Sequence, residues 1–407
     1  MSYITKIIRK ERKSLEQKGW ILLYGRRKTG KTYLLRNLYE PDVYILVKKD
    51  RSLWSEDLEV DLNSISKKVR NLLDKGKKVV IDEFQRMDLG ILEEIVTSHP
   101  HGKLILSGSS LRVVNKILAP HSALLGFFLP LRLGLISPED MISNLTKYKP
   151  DNVIELATFL RDPWLIPFYS DEPIEKFVHR IVTQFKTTIP SLIGEVFTEE
   201  ERKMTDIYEA VLALIGSGIW KIKDVASILY QRKLISEPSS SNLNQYIKNM
   251  QEMDLIESFR LYGSKMDFNR LNSPIMNVYY YLDSRYNIAE RDVSFAEIEP
   301  TLKHLINLEI QNFCADLFAK VYQGRKEYFL NKEIDFIITQ RNKPVCVGEV
   351  KWGMIKRNHV TNFEEKTRDF VCDKILIGKD ISKKIKAEYP KIKFYTPRDL
   401  IKLVEKF

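Results

Sequence analysis

The stretch WILLYGRRKTGKTYLLRNL, residues 20–38, decides how the rest of the chain is read. Five residues from Trp20 to Tyr24 form an apolar run that leads into Gly25-Arg26-Arg27-Lys28-Thr29-Gly30-Lys31-Thr32. Tyr33 to Leu38 then follow helical spacing. Strand, glycine-bounded loop and helix in that order form the context of a phosphate-binding loop. Gly25 and Gly30 let the backbone wrap tightly with its amides pointing inward at an anion, and the helix N-terminus adds partial positive charge. The spacing predicts that residues 25–33 cradle a nucleoside triphosphate, with Lys31 reaching the β and γ phosphates and the Thr32 hydroxyl ligating Mg²⁺.

Outward from that loop, Lys77-Lys78-Val79-Val80-Ile81 ends in the adjacent carboxylates Asp82 and Glu83. A buried parallel strand would deliver both to its C-terminal end, beside the phosphate loop. Asp82 then holds Mg²⁺ directly or through water, and Glu83 polarises the attacking water. A third run, Lys103-Leu-Ile-Leu-Ser107-Gly-Ser109-Ser110, suits a strand between these two, with Ser107 or Ser109 near the γ-phosphate. A serine N-cap is the plainer reading of the same residues. Tyr44-Ile-Leu-Val-Lys48 reads as one more strand.

The order GRRKTGKT, VVIDEF, LILSGSS resembles archaeal-type ATPases of the AAA+/STAND group over residues 1 to about 200. That resemblance implies ATP as ligand, Mg²⁺ as cofactor and a helical lid after the nucleotide domain. Two departures stand out. Relatives carry a Gly-Arg after the sensor strand, where this chain has Leu124-Leu-Gly126-Phe127-Phe128. Relatives also carry Gly-Gly-x-Pro at the lid, where this chain has Arg161-Asp162-Pro163-Trp164. Arg132, Arg161 or an arginine from a second copy in a homo-oligomer would have to supply the missing charge, and slow turnover is expected.

The chain has 407 residues, 44% hydrophobic and 29% charged, an ordinary core-forming composition spread over two to four domains. Lys and Arg exceed Asp and Glu by 65 to 54, giving +11 and a pI of about 9.2. That surplus favours polyanions such as nucleic acid or acidic lipid, although many lysine-rich chains are basic only for solubility. Ala123–Ile136, the most apolar stretch, is broken by Pro130 and Arg132 and is too short to span a bilayer. The N-terminus lacks the apolar run of a secretory signal. Cys314, Cys346 and Cys372 are widely spaced, which points to buried thiols in a reducing cytoplasm. His99 and His101 flank Pro100 at an expected turn facing solvent, and a zinc site is disfavoured.

Four segments are expected: a nucleotide-binding core at 1–136, a helical lid at 137–203, a winged helix at 204–288, and a C-terminal α/β unit at 289–407. In the third, helices at 206–214, 220–230 and from Ser239 are followed by a short hairpin in 254–263. Its third helix, with Asn242, Asn244, Gln245 and Lys248, could enter a DNA major groove. Docking or spacing is the alternative role for such a unit.

In the last segment, strands around Asp335 and Glu349-Val350-Lys351 are joined by the turn Gln340-Arg-Asn-Lys343. Glu349 and Lys351 lie two apart and so share one face of the sheet. Two carboxylates on adjacent strands hold Mg²⁺ or Mn²⁺ for phosphodiester hydrolysis, and a lysine positions water or offsets developing charge. The D-x13-E-x-K pattern resembles the PD-(D/E)xK restriction-endonuclease-like superfamily. That resemblance implies an upstream helical acid, for which Glu309 is the best match. The expected fold is thus α/β and multidomain: a P-loop parallel sheet with helical lid, a winged helix and a restriction-endonuclease-like unit. The expected function is an ATP-binding, ATP-hydrolysing protein that binds DNA and cleaves it. The alternative is a nucleotide-gated switch or scaffold that binds DNA or protein without cutting.

Overall fold

A computed structural model describes residues 6–56, 58–59, 61–97, 101–148, 152–194 and 202–406. The first part of the chain is a six-stranded sheet built from β1 (Trp20–Tyr24), β2 (Val43–Val47), β3 (Leu53–Trp54), β4 (Lys78–Asp82), β5 (Lys103–Gly108) and β6 (Phe128–Arg132), in the order β3-β2-β4-β5-β1-β6. Only β3 runs antiparallel to its neighbour. The strand ending in Ser107 therefore lies between the strands leading to Lys31 and to Asp82. β6 was not legible in the sequence, because Pro130 and Arg132 interrupt its apolar run. It is an edge strand, where a proline removes no ladder hydrogen bond that the sheet needs.

The central strands alternate apolar side chains to both faces, as buried parallel strands do. One face packs Leu22, Ile45, Val79 and Leu104 beneath α3 (Ile65–Asp74), α4 (Leu89–Val96) and α5 (Leu111–Leu118). The other packs Ile21, Leu23, Tyr44 and Ile105 against α1 (Glu11–Leu15) and α2 (Lys31–Leu34), which continues as a π-helical turn through Tyr39.

The segment expected to be a lid holds α6 (Pro138–Leu145), α7 (Val153–Leu160), α8 (Ile174–Gln184) and α9 (Thr188–Gly194). Next come α10 (Arg202–Gly216), α11 (Ile222–Gln231), α12 (Asn244–Glu252) and the antiparallel pair β7 (Ile256–Arg260) and β8 (Asp267–Leu271). The hairpin is thus wider than the expected 254–263, which covered only its first arm. The 203/204 boundary falls in the first turn of α10.

After α13 (Pro274–Tyr286) and the long α14 (Phe295–Val321), a five-stranded mixed sheet follows, in the order β13-β12-β11-β10-β9. Its strands are β9 (Arg325–Phe329), β10 (Ile334–Gln340), β11 (Lys343–Ile355), β12 (Asp373–Ile381) and β13 (Ile392–Tyr395). Helices α15 (Arg357–Lys366), α16 (Lys383–Glu388) and α17 (Pro397–Val404) complete the unit. Ile337 and Val347 pack with Val360 and Phe363 of α15, whereas Phe336 and Val350 join the cluster holding Phe313 and Phe318 of α14.

The three segments after residue 136 share one apolar core. Ile142 of α6 and Phe177 of α8, Val211 of α10 and Leu271 of β8, and Phe313 of α14 and Phe336 of β10 belong to a single contiguous cluster. The hairpin docks on the edge strand β9: Tyr262 donates to the Tyr328 carbonyl at 2.7 Å, and the rings of Phe259 and Phe268 pack on Tyr328. An otherwise open sheet edge is covered by the same chain. Among the described residues, no helix is long and apolar enough to cross a membrane.

Candidate functional site

The turn after β1 brings the phosphate loop across the end of β6. Gly25 sits at φ +155°, and a Cβ there would overlap the Leu133 carbonyl oxygen, so the close approach requires glycine. Lys31 opens α2 and donates to the Gly25 and Arg26 carbonyls at 2.9 and 2.8 Å. Thr32 Oγ1 donates to Asp82 Oδ2 at 2.7 Å, and the Tyr44 hydroxyl donates to the same oxygen at 2.6 Å. Residues fifty positions apart thereby meet across the end of β5, which separates β1 from β4. Oxygen donors side by side suit Mg²⁺, which takes one or two protein ligands and completes its shell with phosphate and water. Thr32 and Asp82 fit that ion.

A cavity of about 750 Å³ opens over this loop, within the range of small-molecule sites. Arg27, Lys28, Thr29, Gly30, Lys31, Thr32, Tyr33 and Glu83 line it with polar and charged groups. Ile7, Ile136, Pro163, Trp164 and Pro167 add apolar walls, and Pro163 lies against Gly30 of the loop. The N-terminal segment and the turn after α7 supply most of these walls, and no motif announced them. Arg9, which no motif singled out, is buried and lines the cavity. It donates to the Thr29, Gly134 and Leu135 carbonyls, fixing the loop against the exit of β6.

Burial lowers Lys31 to about 8, although Glu83 and Asp82 act the other way. Below that pH the ammonium is already present for a phosphate. Above it, binding must take up a proton. ATP affinity measured by calorimetry is therefore expected to fall by up to about tenfold per pH unit above 8. A flat affinity from pH 7 to 9.5 would contradict this.

Two residues expected at the nucleotide lie elsewhere. The Arg26 side chain is fully buried outside the cavity, with Nη2 2.6 Å from Asp162 Oδ1 at the end of α7. That contact has the separation of an ion pair, yet Nη2 and Oδ1 lack aligned hydrogen-bond partners. Asp162 Oδ2 also accepts from Ser273, which precedes α13. Ser107 stands beside Asp82 in the sheet register, but it does not line the cavity and its hydroxyl has no partner. Neither substitute arginine reaches the loop. Arg132 donates to the Gln251 carbonyl, and Arg161 bonds the Ile136 carbonyl and Asp316. Both are held by partners in later segments of the chain. His99 lies outside the described residues, and His101 is exposed.

In the C-terminal sheet, the Val350 amide donates to Asp335 Oδ2 at 2.8 Å. Lys351 Nζ lies 2.7 Å from Glu349 Oε1, and Lys366 of α15 approaches Glu349 Oε2 at 3.6 Å. Glu349 is 2% exposed, and its Oε2 has no hydrogen-bond partner. Each Glu349 oxygen thus faces a lysine ammonium, and the buried carboxylate is neutralised by the chain's own cations.

Glu309 does not join them. It is buried in an ion pair with Arg270 of β8, beside Lys326 and Asp316. Its helix packs on the Phe336 face of the sheet, opposite α15. Among the described residues, no group of three His, Cys, Asp or Glu could hold a metal. The acidic set is a pair with two lysines.

Burial, helped by the Glu349 charge, raises Asp335 to about 6, while the Val350 amide and two lysines oppose the shift. The folded state then holds its proton more tightly than the unfolded chain, so stability falls as pH rises from about 4 to 6. Asp335→Asn is expected to raise stability at pH 7 by about 1–3 kcal/mol, with the gain vanishing near pH 4, as read by urea denaturation. Equal stabilities at pH 7 would show that the carboxylate is not strained.

Residues 17–123 match the family model described as an AAA domain. Over that segment the chain is similar to AAA domains. Curated protein sequences yield no match. Solved structures that match include Aeropyrum pernix ORC2 protein in ADPNP–ADP complexes, with 12% identity and a TM-score of 0.40. Two others are Aeropyrum pernix ORC1 protein in complex with DNA, with 11% identity and a TM-score of 0.31, and Cdc6p from Pyrobaculum aerophilum, with 14% and 0.27. Each covers 71% of this chain and 96% of its own. Superpositions this loose fix neither the arrangement of the later segments nor an activity.

Proposed function

We propose that the chain binds ATP with Mg²⁺ at residues 25–33 and hydrolyses it with Glu83 as base. In the same reading it binds DNA and cleaves it at Asp335, Glu349 and Lys351 with Mg²⁺ or Mn²⁺. The observation that carries the nucleotide half is the convergence of Lys31, Thr32 and Glu83 on one nucleotide-sized cavity, with Asp82 bonded to Thr32 behind it. The cleavage half is supported by Asp335 and the Glu349–Lys351 pair standing on the adjoining strands β10 and β11. For DNA, Asn242, Asn244, Gln245 and Lys248 stand exposed at α12, where amides and an ammonium can meet base edges and phosphate.

A second reading, a nucleotide-gated switch that does not cut, is favoured by two observations. The hairpin that would flank DNA is spent on β9. Arg132 and Arg161 are both committed away from the phosphates, which leaves Arg9 and Arg27 as the arginines on the cavity.

Linear and circular DNA incubated with Mg²⁺ or Mn²⁺, with and without ATP, separate the two readings. Cleavage is expected from the wild type and is lost in Lys351→Ala. Lys31→Ala should abolish ATP binding and any ATP effect on cleavage. Cutting that survives Lys351→Ala places the chemistry elsewhere. Nucleotide-dependent DNA binding without cutting supports the switch, and no ATP binding by wild type removes the nucleotide reading.

A further inference from the structure

Fold stability does not explain where Gln85 sits. Its side chain lies over Gly108 at the end of β5, where a Cβ would overlap Gln85 Oε1 and crowd the Phe84 ring. Gln85 Oε1 is buried there without a hydrogen-bond partner, an arrangement that destabilises a fold. The other end of the amide is fully used. Nε2 donates to Glu83 Oε2 at 2.8 Å and reaches Ser109 Oγ at 3.4 Å. Arg86 Nη2 approaches the same Glu83 oxygen at 3.0 Å. Glu83 itself stands at φ +57°, a conformation that non-glycine residues hold only when their surroundings impose it. A glycine with no side chain, an orphaned acceptor and a strained base all serve one contact, the bond from Gln85 to Glu83.

We propose that Gln85 is a positioning residue for ATP hydrolysis, tying the Glu83 carboxylate to Ser109 so that the base is aligned on the attacking water. The proposal rests on the ATPase reading above. In the step it serves, the water oxygen bonds to the γ-phosphorus. The bond to the bridging oxygen breaks, its electron pair leaves with ADP, and the water proton passes to Glu83. With Oε2 held by Gln85 and Arg86, Oε1 is the oxygen left to take that proton. Gln85 touches neither phosphate nor water in this scheme and acts through Glu83.

Gln85→Met keeps the length of the side chain and removes both polar atoms. Steady-state hydrolysis, ATP calorimetry and thermal unfolding are measured together with Glu83→Gln as reference. Expected are a kcat roughly 10- to 100-fold lower, an ATP Kd within about threefold, and a Tm equal to or above wild type because the orphaned acceptor is gone. Gln85→Glu is expected to lower kcat and move the acid limb of its pH profile upward, since a second carboxylate holds the proton on Glu83. A kcat within twofold of wild type in Gln85→Met, while Glu83→Gln is inactive, overturns the proposal alone. So does a Tm that falls in step with kcat, which would mark a merely structural residue. Absence of hydrolysis in wild type overturns the ATPase reading and the proposal with it.

Discussion

Asp162→Ala is expected to destabilise the protein by about 3–5 kcal/mol, the scale for stripping one partner from a buried ion pair. Arg26 and Asp162 are both fully buried, so the remaining guanidinium would have no water to turn to. Ser273 would lose its acceptor at the start of α13 as well. The loss should be read as a lower midpoint in urea at unchanged slope. The double variant Arg26→Met with Asp162→Leu is expected to recover most of it, because an apolar pair needs no mutual neutralisation. A single-variant loss below about 1 kcal/mol would mean that solvent reaches the pair. The location of the pair gives it further weight. Pro163 and Trp164 line the nucleotide cavity, Asp162 grips the phosphate loop, and Arg161 bonds Asp316 of α14. Four consecutive residues thus touch every major part of the chain.

Glu83→Gln is expected to lower the ATP hydrolysis rate by about 10²–10⁴-fold while leaving ATP affinity nearly unchanged. The amide keeps the volume and can still meet Arg86 or Gln85 through one atom, but it cannot take a proton. Single-turnover hydrolysis and equilibrium binding on the same preparation make the comparison. A parallel loss of affinity would assign Glu83 to binding rather than to proton transfer.

Much of the nucleotide site was readable because its chemistry is local. Residues 25–32 must carry two glycines, a lysine and a threonine at fixed intervals, and the acids must end a buried strand. The β-branched run before Asp82 and the apolar run before Gly25 gave the strands that position them. The same holds for Glu349 and Lys351, which share a sheet face by parity alone. What could not be read were pairings with no periodicity. Arg26 and Asp162 are 136 positions apart, and a guanidinium in a phosphate loop points to phosphate unless the fold supplies a buried acid first. Glu309 was the best match to the upstream helical acid that the endonuclease-like resemblance implies. Arg270, in a hairpin recognised only in part, claims it instead.

The sequence by itself determined the glycine-bounded loop after β1, the acid pair ending β4, the strands that carry both, and the placement of Glu349 and Lys351 on one sheet face. Each follows from residue type at short range, where backbone geometry leaves few alternatives. Tertiary structure alone decided which arginines were spent on carboxylates and that Arg9 and Trp164 wall the cavity. It also decided that the hairpin closes the β9 edge and that three segments share one core. Those outcomes depend on burial, which sets the strength of a charge or an apolar side chain and is known only once distant parts of the chain have met.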